Sequence, residues 1–516
     1  MGHNNRTDMQ KRNINMARII IIGGGVSGLS AGIHAKMSGH EAIICERHSV
    51  AGGNLTGWKR GEYEIDNCIH WLTGTNPSTP TYRDWVELGA LGDGIEVFQG
   101  DTLYTCRRDG EEISLYRDVE RLKQKMDLIS PEDKKETLAL INAVKLMQRI
   151  CGIGGDDHNE GLDGFRGLLK FPILRKYYSL SAKELSERFR HPLLREFISS
   201  FWGDGFGALA LVFVFAHFCG ENGGIPKYGS RGMANRMAER FKSLGGELLL
   251  GCDVTRINHK DGRASSVTLA DGRELSGDYF ILTSDPAVAF KHLLRLPLPS
   301  QLQKMYSDSR FKRFSGVHCA FACKKEDLDF RGDLILSVPD ENLSAIGVDR
   351  LILREFSHEE SFAPTGETVL QVMTFCDEDA CTKFIRSREI NRSAYNQKKK
   401  DFSRAAEKII EEAIPTLKGE LKLLDVWTPA TYRRFTDSEI GSYMSFILPK
   451  KTIPLRKKNK VDGISNVILA TQWQQCPGGL PIAAGCGKYA ISTVDALERK
   501  ALGDLPTPSA APTAIQ

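Results

Sequence analysis

The feature that most constrains this sequence is a run of isoleucines leading directly into three consecutive glycines. Residues 17–22 form a continuous apolar run, typical of a strand buried on both faces of a parallel sheet. Gly23–Gly28 interrupts the run, and small and apolar residues at helical spacing follow from Val26 to Met37. A second apolar run, Glu41–Glu46, completes a predicted strand–helix–strand unit.

The glycines in this unit match the G-x-G-x-x-G pattern of dinucleotide binding. Gly23 permits the tight turn, Gly25 lets a pyrophosphate approach the backbone, and Gly28 lets helix and strand pack closely. Val26 and Ser27 open the helix, whose free N–H groups and dipole favour negative charge. The pattern therefore predicts a phosphate-binding turn.

An acidic residue ends the second predicted strand. Glu46 stands eighteen residues after Gly28, where a carboxylate can accept hydrogen bonds from ribose hydroxyls. Arg47 follows it directly and is included in the predicted cofactor site. Because NAD and FAD both bind this type of unit, these residues alone leave the choice between them open.

Two further glycine-rich segments favour FAD. Gly52 and Gly53 follow the second strand closely enough to approach a diphosphate. Near the C-terminus, an apolar run that ends at Ala470 leads through residues 477–481 into a helix rich in small residues. This arrangement predicts a second helix N-terminus beside a cofactor ring.

Together the three motifs resemble those of the GR2-type FAD flavoproteins, the superfamily of amine oxidases, protoporphyrinogen oxidases and phytoene desaturases. Within it, residues 63–71 and 223–233 resemble segments of the phytoene desaturases, carotenoid isomerases and retinol saturases. The resemblance spans the chain, and its specific motifs lie in residues 18–71, 224–256 and 465–490.

The resemblance implies that FAD is bound without a covalent link. The implied cofactor-binding residues are Gly23, Gly25, Val26, Ser27, Gly28, Glu46, Arg47, Gly52, Gly53, Asn54, Thr56, Val254, Gly479, Leu480 and Pro481. Val254 would contact the adenine, and Gly479–Pro481 would line the isoalloxazine. Two residues depart from the family pattern. Asn54 stands where many relatives carry a basic residue, and Thr471 interrupts the usual Ala-Gly pair of the last strand.

Catalytic side chains are not identified by the sequence, and His70 and Trp71 are only weak candidates. A buried structural histidine is the commoner outcome for His70, and Asp66 is interpreted as a structural hydrogen-bond partner. His217 lies inside an apolar run. It is interpreted as a core residue or as a residue along a substrate tunnel. No metal site or nucleophilic triad is recognisable, which fits chemistry supplied by a flavin while the protein orients the substrate and excludes water.

The resemblance implies an oxidoreductase acting on C–C or C=C bonds of a lipophilic, conjugated substrate such as a carotenoid, a retinoid or another isoprenoid lipid. Hydride transfer with flavin N5 is the expected step, and desaturation, saturation and isomerisation all stay open. NAD(P)H as an external reductant also stays open. The alternatives are an amine-oxidase-like enzyme that oxidises a C–N bond and a non-catalytic FAD-bearing scaffold or redox partner.

The predicted fold class is α/β, a Rossmann-type FAD-binding domain with a discontinuous mixed α+β substrate domain. The FAD-binding domain gathers residues 17–80, 224–300 and 440–500. The substrate-binding domain gathers residues 81–223 and 301–439, of which the segment up to about residue 224 is expected to be mostly helical.

The composition limits the kinds of partner and the cellular compartment that the sequence predicts. A net charge of +4 over 516 residues gives no reason to expect a nucleic-acid partner. The twelve cysteines include no Cys-x-x-Cys pair, as expected of reduced thiols in a cytoplasmic protein. Residues 208–219, the most lipophilic stretch, are too few to span a membrane.

Contact with a membrane surface is a separate question. The segments 170–178 and 449–458 interleave basic residues with aromatic or apolar ones, and they are interpreted either as a peripheral membrane contact or as two solvated loops. The tails, residues 1–16 and 503–516, are predicted to be disordered. The sequence leaves the oligomeric state open.

Overall fold

A computed structural model of the chain describes residues 16–153, 171–200, 203, 205–338, 347–501 and 503. The predictions of disordered tails fall outside these ranges, except at Met16 and Gly503. In the ranges described, no helix combines the length and the apolar character needed to cross a membrane.

The strands alternate with helices along the chain. In order, the strands are β1 (Arg18–Ile22), β2 (Glu41–Glu46), β3 (Gly57–Arg60), β4 (Tyr63–Asp66), β5 (Leu72–Thr73), β6 (Val97–Phe98), β7 (Thr102–Arg108), β8 (Glu111–Tyr116), β9 (Gly223–Pro226), β10 (Glu247–Leu250), β11 (Val254–Lys260), β12 (Arg263–Leu269), β13 (Glu274–Ser276), β14 (Tyr279–Leu282), β15 (Ser315–Lys324), β16 (Asp333–Ser337), β17 (Arg350–Glu355), β18 (Glu367–Cys376), β19 (Lys422–Trp427), β20 (Lys460–Val461) and β21 (Ile464–Leu469).

The helices differ widely in length. In order, they are α1 (Val26–Met37), α2 (Pro80–Glu87), α3 (Val119–Ile129), α4 (Lys134–Ile150), α5 (Pro172–Tyr178), α6 (Ala182–Ser186), α7 (Pro192–Ser199), α8 (Ala208–Cys219), α9 (Gly229–Ser243), α10 (Pro286–Val288), α11 (Ser300–Ser307), α12 (Glu378–Ile390), α13 (Arg392–Ala413), α14 (Pro429–Thr436) and α15 (Leu480–Ala501).

A six-stranded sheet, in the order β10-β2-β1-β14-β21-β20, contains the predicted dinucleotide unit. All its neighbouring strands pair in parallel except β20 and β21. The carboxyl ends of the parallel strands therefore meet at one edge, as in a Rossmann sheet. At that edge Glu46 ends β2, and Gly23 and Thr283 begin the loops that follow β1 and β14. The predicted α/β fold class is confirmed.

A seven-stranded sheet, in the order β19-β15-β18-β17-β16-β7-β8, is the second large sheet. The expectation that residues 81–224 are mostly helical was wrong for β7 and β8, which pair as a hairpin. Asp109 and Gly110 form its turn, and both have positive φ angles, 52° and 81°. An Asp-Gly pair between two short apolar runs is a strong hairpin signal, and it was available in the sequence.

The strands of the two large sheets fall in the chain ranges that the sequence predicts for two domains. The strands of the six-stranded sheet fall in residues 17–80, 224–300 and 440–500, and those of the seven-stranded sheet fall in 81–223 and 301–439. A small sheet of β5, β9 and β6 draws on both sets of ranges. The division into an FAD-binding and a substrate-binding domain stays a prediction.

Helices α1 and α15 pack closely because small residues face each other. The Ser27 hydroxyl donates to the Ala483 carbonyl at 3.0 Å, and the Ser30 hydroxyl donates to the Ala484 carbonyl at 2.7 Å. A Cβ atom at Gly487 would lie 2.5 Å from the Ser27 carbonyl oxygen. The contact therefore holds the C-terminal helix against the helix that follows the glycine turn.

This contact predicts the effect of a side chain at Gly487. Gly487→Val should lower the free energy of unfolding by at least about 2 kcal/mol, because the new atoms meet backbone that cannot move aside. Ser492→Val, on the exposed face of α15, should change it by less than about 0.5 kcal/mol, since serine and valine have similar helix propensities. Urea denaturation measures both, and equal effects would contradict the packing argument.

Candidate active site

A cavity of about 1290 Å³ begins at the carboxyl edge of the six-stranded sheet and reaches the seven-stranded sheet. Gly23, Glu46 and Val254 line it on the side of the first sheet. Met373 and Phe375, both in β18, line it on the side of the second. The two sheets therefore contribute walls to one cavity.

The first and last glycines of the turn between β1 and α1 have no room for a side chain. Gly23 has a φ angle of 104°, and a Cβ atom there would lie 2.4 Å from Oγ1 of Thr283. A Cβ atom at Gly28 would lie 1.9 Å from the Gly23 carbonyl oxygen. Val26 and Ser27, the first residues of α1, line the cavity. Their N–H groups have no acceptor within the helix, so this wall suits an anion.

Two backbone N–H groups fix the carboxylate of Glu46. Gly24 donates to Oε2 at 2.7 Å and His48 donates to Oε1 at 2.9 Å. The side chain is buried yet lines the cavity, and each oxygen keeps acceptor capacity for a further hydrogen bond. Arg47 also lines the cavity, and its guanidinium donates to the Arg434 carbonyl at 2.6 Å.

The second glycine pair rests directly on the first turn. Gly52 donates to the Gly24 carbonyl at 2.8 Å, and a Cβ atom at Gly53 would lie 3.2 Å from Cα of Gly25. Gly52 and Gly53 have φ angles of 125° and 61°, which favour glycine. The structure thus brings two glycine segments together that are separated in sequence by a helix and a strand.

The residues after this pair differ in their placement. Asn54 lines the cavity, and its side-chain amide donates to the Tyr443 carbonyl at 3.2 Å. Thr56 is not among the residues that line the cavity: its N–H donates to the Asn54 carbonyl, and its own carbonyl accepts from Asn67. Leu55 lines the cavity in its place. The contact of Thr56 with the cofactor stays a prediction.

The C-terminal turn adds the wall opposite the glycines. Gly479, Leu480 and Pro481 line the cavity at the start of α15, together with Thr471. Gly479 has a φ angle of 131°, and its N–H donates to Oε1 of Gln472 at 2.8 Å. This hydrogen bond holds the N-terminus of α15 toward the cavity.

The residues present fit a flavin dinucleotide. A glycine turn with no room for a Cβ atom at Gly23 or Gly28, a fixed carboxylate at a strand end and two helix N-termini all contribute to the lining of a single cavity. These are the groups that bind a pyrophosphate and a ribose. Val254, at the start of β11, lines the same end of the cavity as Glu46.

The weak catalytic candidates, His70 and Trp71, both line the cavity. His70 Nδ1 lies 3.8 Å from Oδ2 of Asp333. The carboxylate of Asp333 accepts two hydrogen bonds from the guanidinium of Arg354, at 2.7 and 2.5 Å. Burial lowers the pKa of His70, the charge of Arg354 lowers it further, and Asp333 opposes both. The ring is therefore neutral near pH 7. The Asp333–Arg354 pair was not anticipated from the sequence.

A second polar cluster in the wall joins three distant chain segments. Tyr432 donates to Oδ1 of Asn67 at 3.0 Å, and His318 Nε2 lies 3.1 Å from the same hydroxyl. Burial lowers the pKa of His318 to about 3, so this ring is also neutral. No local pattern in the sequence marks these residues, because they meet only through the fold.

The apolar wall comes mainly from one face of α8 and the residues before it. Its members recur at intervals of three and four residues: Phe206, Leu209, Ala210, Phe213, Val214 and His217. His217, predicted as a core residue or a tunnel residue, is buried and lines the cavity. Asp66 accepts hydrogen bonds from the Ser230 N–H and hydroxyl, both at 2.6 Å, which is a structural arrangement.

Known proteins match most of the chain. The model of the family described as flavin containing amine oxidoreductase matches residues 26–395. The chain is 22% identical over 517 residues to 4,4'-diaponeurosporene oxygenase of Staphylococcus haemolyticus, covering 94% of this chain and 99% of that protein. It is 27% identical over 303 residues to 4,4'-diapolycopene oxygenase of Methylomonas sp., covering 56% and 59%.

Solved structures show the same fold. Cyclohexylamine oxidase from Brevibacterium oxydans superposes with a TM-score of 0.56 at 14% identity, over 93% of this chain and 99% of that one. The predicted place in the amine oxidase superfamily is confirmed. The glycine turn and the strand-end carboxylate agree with the family match over residues 26–395. The chain therefore belongs to the flavin-containing amine oxidoreductases.

Proposed function

We propose that the protein is an FAD-dependent oxidoreductase that exchanges hydride with carbon atoms of a lipophilic, conjugated substrate. The observation that carries the proposal is the apolar wall of α8, which faces the same cavity as the glycine turn. Phe314 and Phe375 extend that wall. The resemblance to enzymes named for diaponeurosporene and diapolycopene supports a carotenoid-like substrate.

The proposed cofactor contacts follow from the geometry of the turn. Glu46 would accept from the ribose, the turn from Gly23 to Ser27 would bind the pyrophosphate, and Gly479–Pro481 would flank the ring system. Thr56 stays a predicted contact, although it is not among the residues that line the cavity. When bound, FAD supplies the site that accepts or donates hydride. NAD(P)H as the external reductant is part of the same proposal.

The chain's own residues orient the substrate and exclude water. The α8 face and the phenylalanines beside it offer an apolar surface, which binds a hydrocarbon chain by burial rather than by charge. His70 and His318 are neutral there, and Asp333 is paired with Arg354, so these residues bring no net charge to their part of the wall. An uncharged part of the wall suits a polyene better than an alkylammonium ion.

This neutrality favours the proposal over amine oxidation. By the family resemblance, oxidation of a C–N bond calls for an aromatic cage flanking the flavin and a lysine–water pair. Tyr432 and Tyr443 line the cavity, but no lysine does in the part of the chain that the structure describes. A scaffold without activity is disfavoured by the continuity of the apolar space with the cofactor end. Whether the reaction is desaturation, saturation or isomerisation stays a prediction.

Peripheral membrane contact also stays a prediction. The basic segments 170–178 and 449–458 each contain a lysine that is paired with a carboxylate. Lys176 pairs with Glu136 at 2.6 Å, and Lys450 pairs with Glu184. These pairs reduce the positive charge available to lipid headgroups. Lys170 lies outside the described residues.

The proposed ribose contact predicts weaker cofactor binding in a single variant. Glu46→Gln should raise the Kd for FAD by roughly tenfold, because a hydrogen bond to a charged acceptor is replaced by one to a neutral acceptor. Glu247→Gln, an exposed residue of neighbouring β10, is the control and should leave Kd unchanged. Flavin fluorescence titration of the apoprotein measures both, and an unchanged Kd for Glu46→Gln would contradict the contact.

The proposed reaction predicts a chemical change in a polyene. A carotenoid polyene mixed anaerobically with the FAD-loaded protein, oxidised or reduced, should yield a desaturated, saturated or isomerised product, detected by chromatography. Ala210→Trp should slow product formation by at least about tenfold, because the indole fills the apolar side of the cavity. Ala210→Ser, nearly equal in volume to the original residue, should retain the rate.

The FAD content of each Ala210 variant is the control for cofactor loss. Bleaching of the oxidised flavin by an amine such as putrescine, with no change in any polyene, would contradict the proposed reaction and favour C–N oxidation. A protein that changes neither class of compound would favour the non-catalytic alternative.

A further inference from the structure

One face of the seven-stranded sheet carries an imidazole among apolar side chains. His318 in β15 lies directly opposite Met373 in β18, which in turn lies directly opposite Ile352 in β17. Directly opposed residues share one face of a sheet, and all three of these residues line the cavity. The ring of His318 stacks on that of Trp427 in β19, with centroids 4.8 Å apart and planes 7° apart. His318 is therefore a fixed part of the cavity wall.

Hydrogen bonds fix which ring nitrogen of His318 carries the proton. The side-chain amide of Asn67 donates to the Asn54 carbonyl at 3.2 Å, so Oδ1 of Asn67 is the atom that accepts from the Tyr432 hydroxyl at 3.0 Å. The hydroxyl has a single proton, and this bond uses it. The Tyr432 oxygen accepts from Nε1 of Trp427 at 3.2 Å. It lies 3.1 Å from Nε2 of His318, so it must also accept from Nε2–H.

The other ring nitrogen of His318, Nδ1, offers its lone pair to the cavity. Burial lowers the pKa of His318 to about 3, so near pH 7 the proton on Nε2 is the only one on the ring. Nδ1 has no hydrogen-bond partner among the described residues, yet it is not sealed from solvent as the unpaired ring nitrogens of His34 and His217 are. Because the residue lines the cavity, the accessible surface of Nδ1 faces that space.

The same hydrogen bonds connect His318 with the cofactor end of the cavity. Asn54, whose carbonyl accepts from Asn67, directly follows Gly53 in the chain. A Cβ atom at Gly53 would lie 3.2 Å from Cα of Gly25 in the first glycine turn. The imidazole is thus positioned from the cofactor side as well as from the sheet.

We propose that Nδ1 of His318 is the catalytic base that takes up the proton released when the substrate is desaturated. This inference rests on the proposed function and adds a catalytic residue and a direction to it. Tyr432 and Asn67 are positioning residues, because they keep the ring proton on Nε2. A ring without a proton on Nδ1 can accept one from a hydrocarbon and has none to deliver, which favours desaturation over saturation.

Desaturation removes two hydrogen atoms from neighbouring carbon atoms. One leaves with both electrons of its C–H bond as hydride, which oxidised FAD accepts. The other leaves as a proton to Nδ1 of His318, and the electrons of its C–H bond form the second bond of the new C=C. The positive charge that develops on the first carbon acidifies the second C–H bond, so a weak base is sufficient. The imidazolium loses its proton to water when the product leaves.

The colourless hydrocarbon 4,4'-diapophytoene tests the proposal on the FAD-loaded, oxidised protein. Rapid anaerobic mixing should bleach the flavin, because the hydrocarbon reduces it. His318→Gln keeps an N–H donor for Tyr432 but lacks a basic ring nitrogen. It should lower the limiting rate of bleaching by at least about 100-fold and leave the half-saturating concentration within about twofold. His292→Gln changes an exposed histidine that does not line the cavity, and this control should keep the wild-type rate.

Two further variants keep the test decisive if His318→Gln folds poorly. Added imidazole should raise the bleaching rate of His318→Ala, because it can act as a base in the vacated space, and should leave the wild-type rate unchanged. Tyr432→Phe removes the acceptor of Nε2–H and should slow bleaching by roughly tenfold, because the base is less well oriented. FAD content and reduction by dithionite, which need no base, should be equal in all variants.

The outcomes separate the inference from the proposed function. Bleaching at the wild-type rate in His318→Gln, or no acceleration of His318→Ala by imidazole, would overturn the inference and leave the proposed function standing. Formation of a saturated product by the reduced protein, at a rate that His318→Gln does not change, would do the same. A wild-type flavin that the hydrocarbon does not reduce, with no change in the hydrocarbon, would overturn both.

Discussion

The turn between β1 and α1 is the contact point for the other segments that form the cofactor end of the cavity. Glu46, at the end of β2, accepts from the N–H of Gly24, and Gly52 donates to the carbonyl of the same residue. Thr283, after β14, donates from its hydroxyl to the Ile22 carbonyl at 2.7 Å. A side chain at Gly23 would meet Thr283, and one at Gly24 would crowd Glu46, so the absence of Cβ atoms at these two positions lets both segments lie close to the turn.

The cofactor end was predictable because its signals are local. A buried strand, a glycine turn and a helix are adjacent in the chain, and each has a characteristic spacing. Helix α1 begins and ends at the predicted residues, Val26 and Met37. Thr56 is not among the residues that line the cavity, and its contact with the cofactor stays a prediction. Its N–H donates to the Asn54 carbonyl two residues earlier.

The substrate end was not predictable to the same degree, because its residues meet only through long-range packing. Asn67, His318 and Tyr432 share hydrogen bonds although hundreds of residues separate them. Asp333 and Arg354 are only 21 residues apart, and they meet because β16 and β17 pair as neighbouring strands of the second sheet. In contrast, the β7–β8 hairpin has a local signal, the Asp-Gly turn. That turn lies within a long range whose pattern is otherwise helical, and the predicted structure of the range followed the helical pattern.

The cofactor and a lipophilic substrate are proposed to occupy a common cavity with a largely apolar wall, and this is the central claim. Mass spectrometry of small molecules that co-purify with the full-length protein tests this claim most directly. We predict FAD together with a bound isoprenoid or polyene lipid. FAD together with a polar amine, and no lipid, would contradict the account.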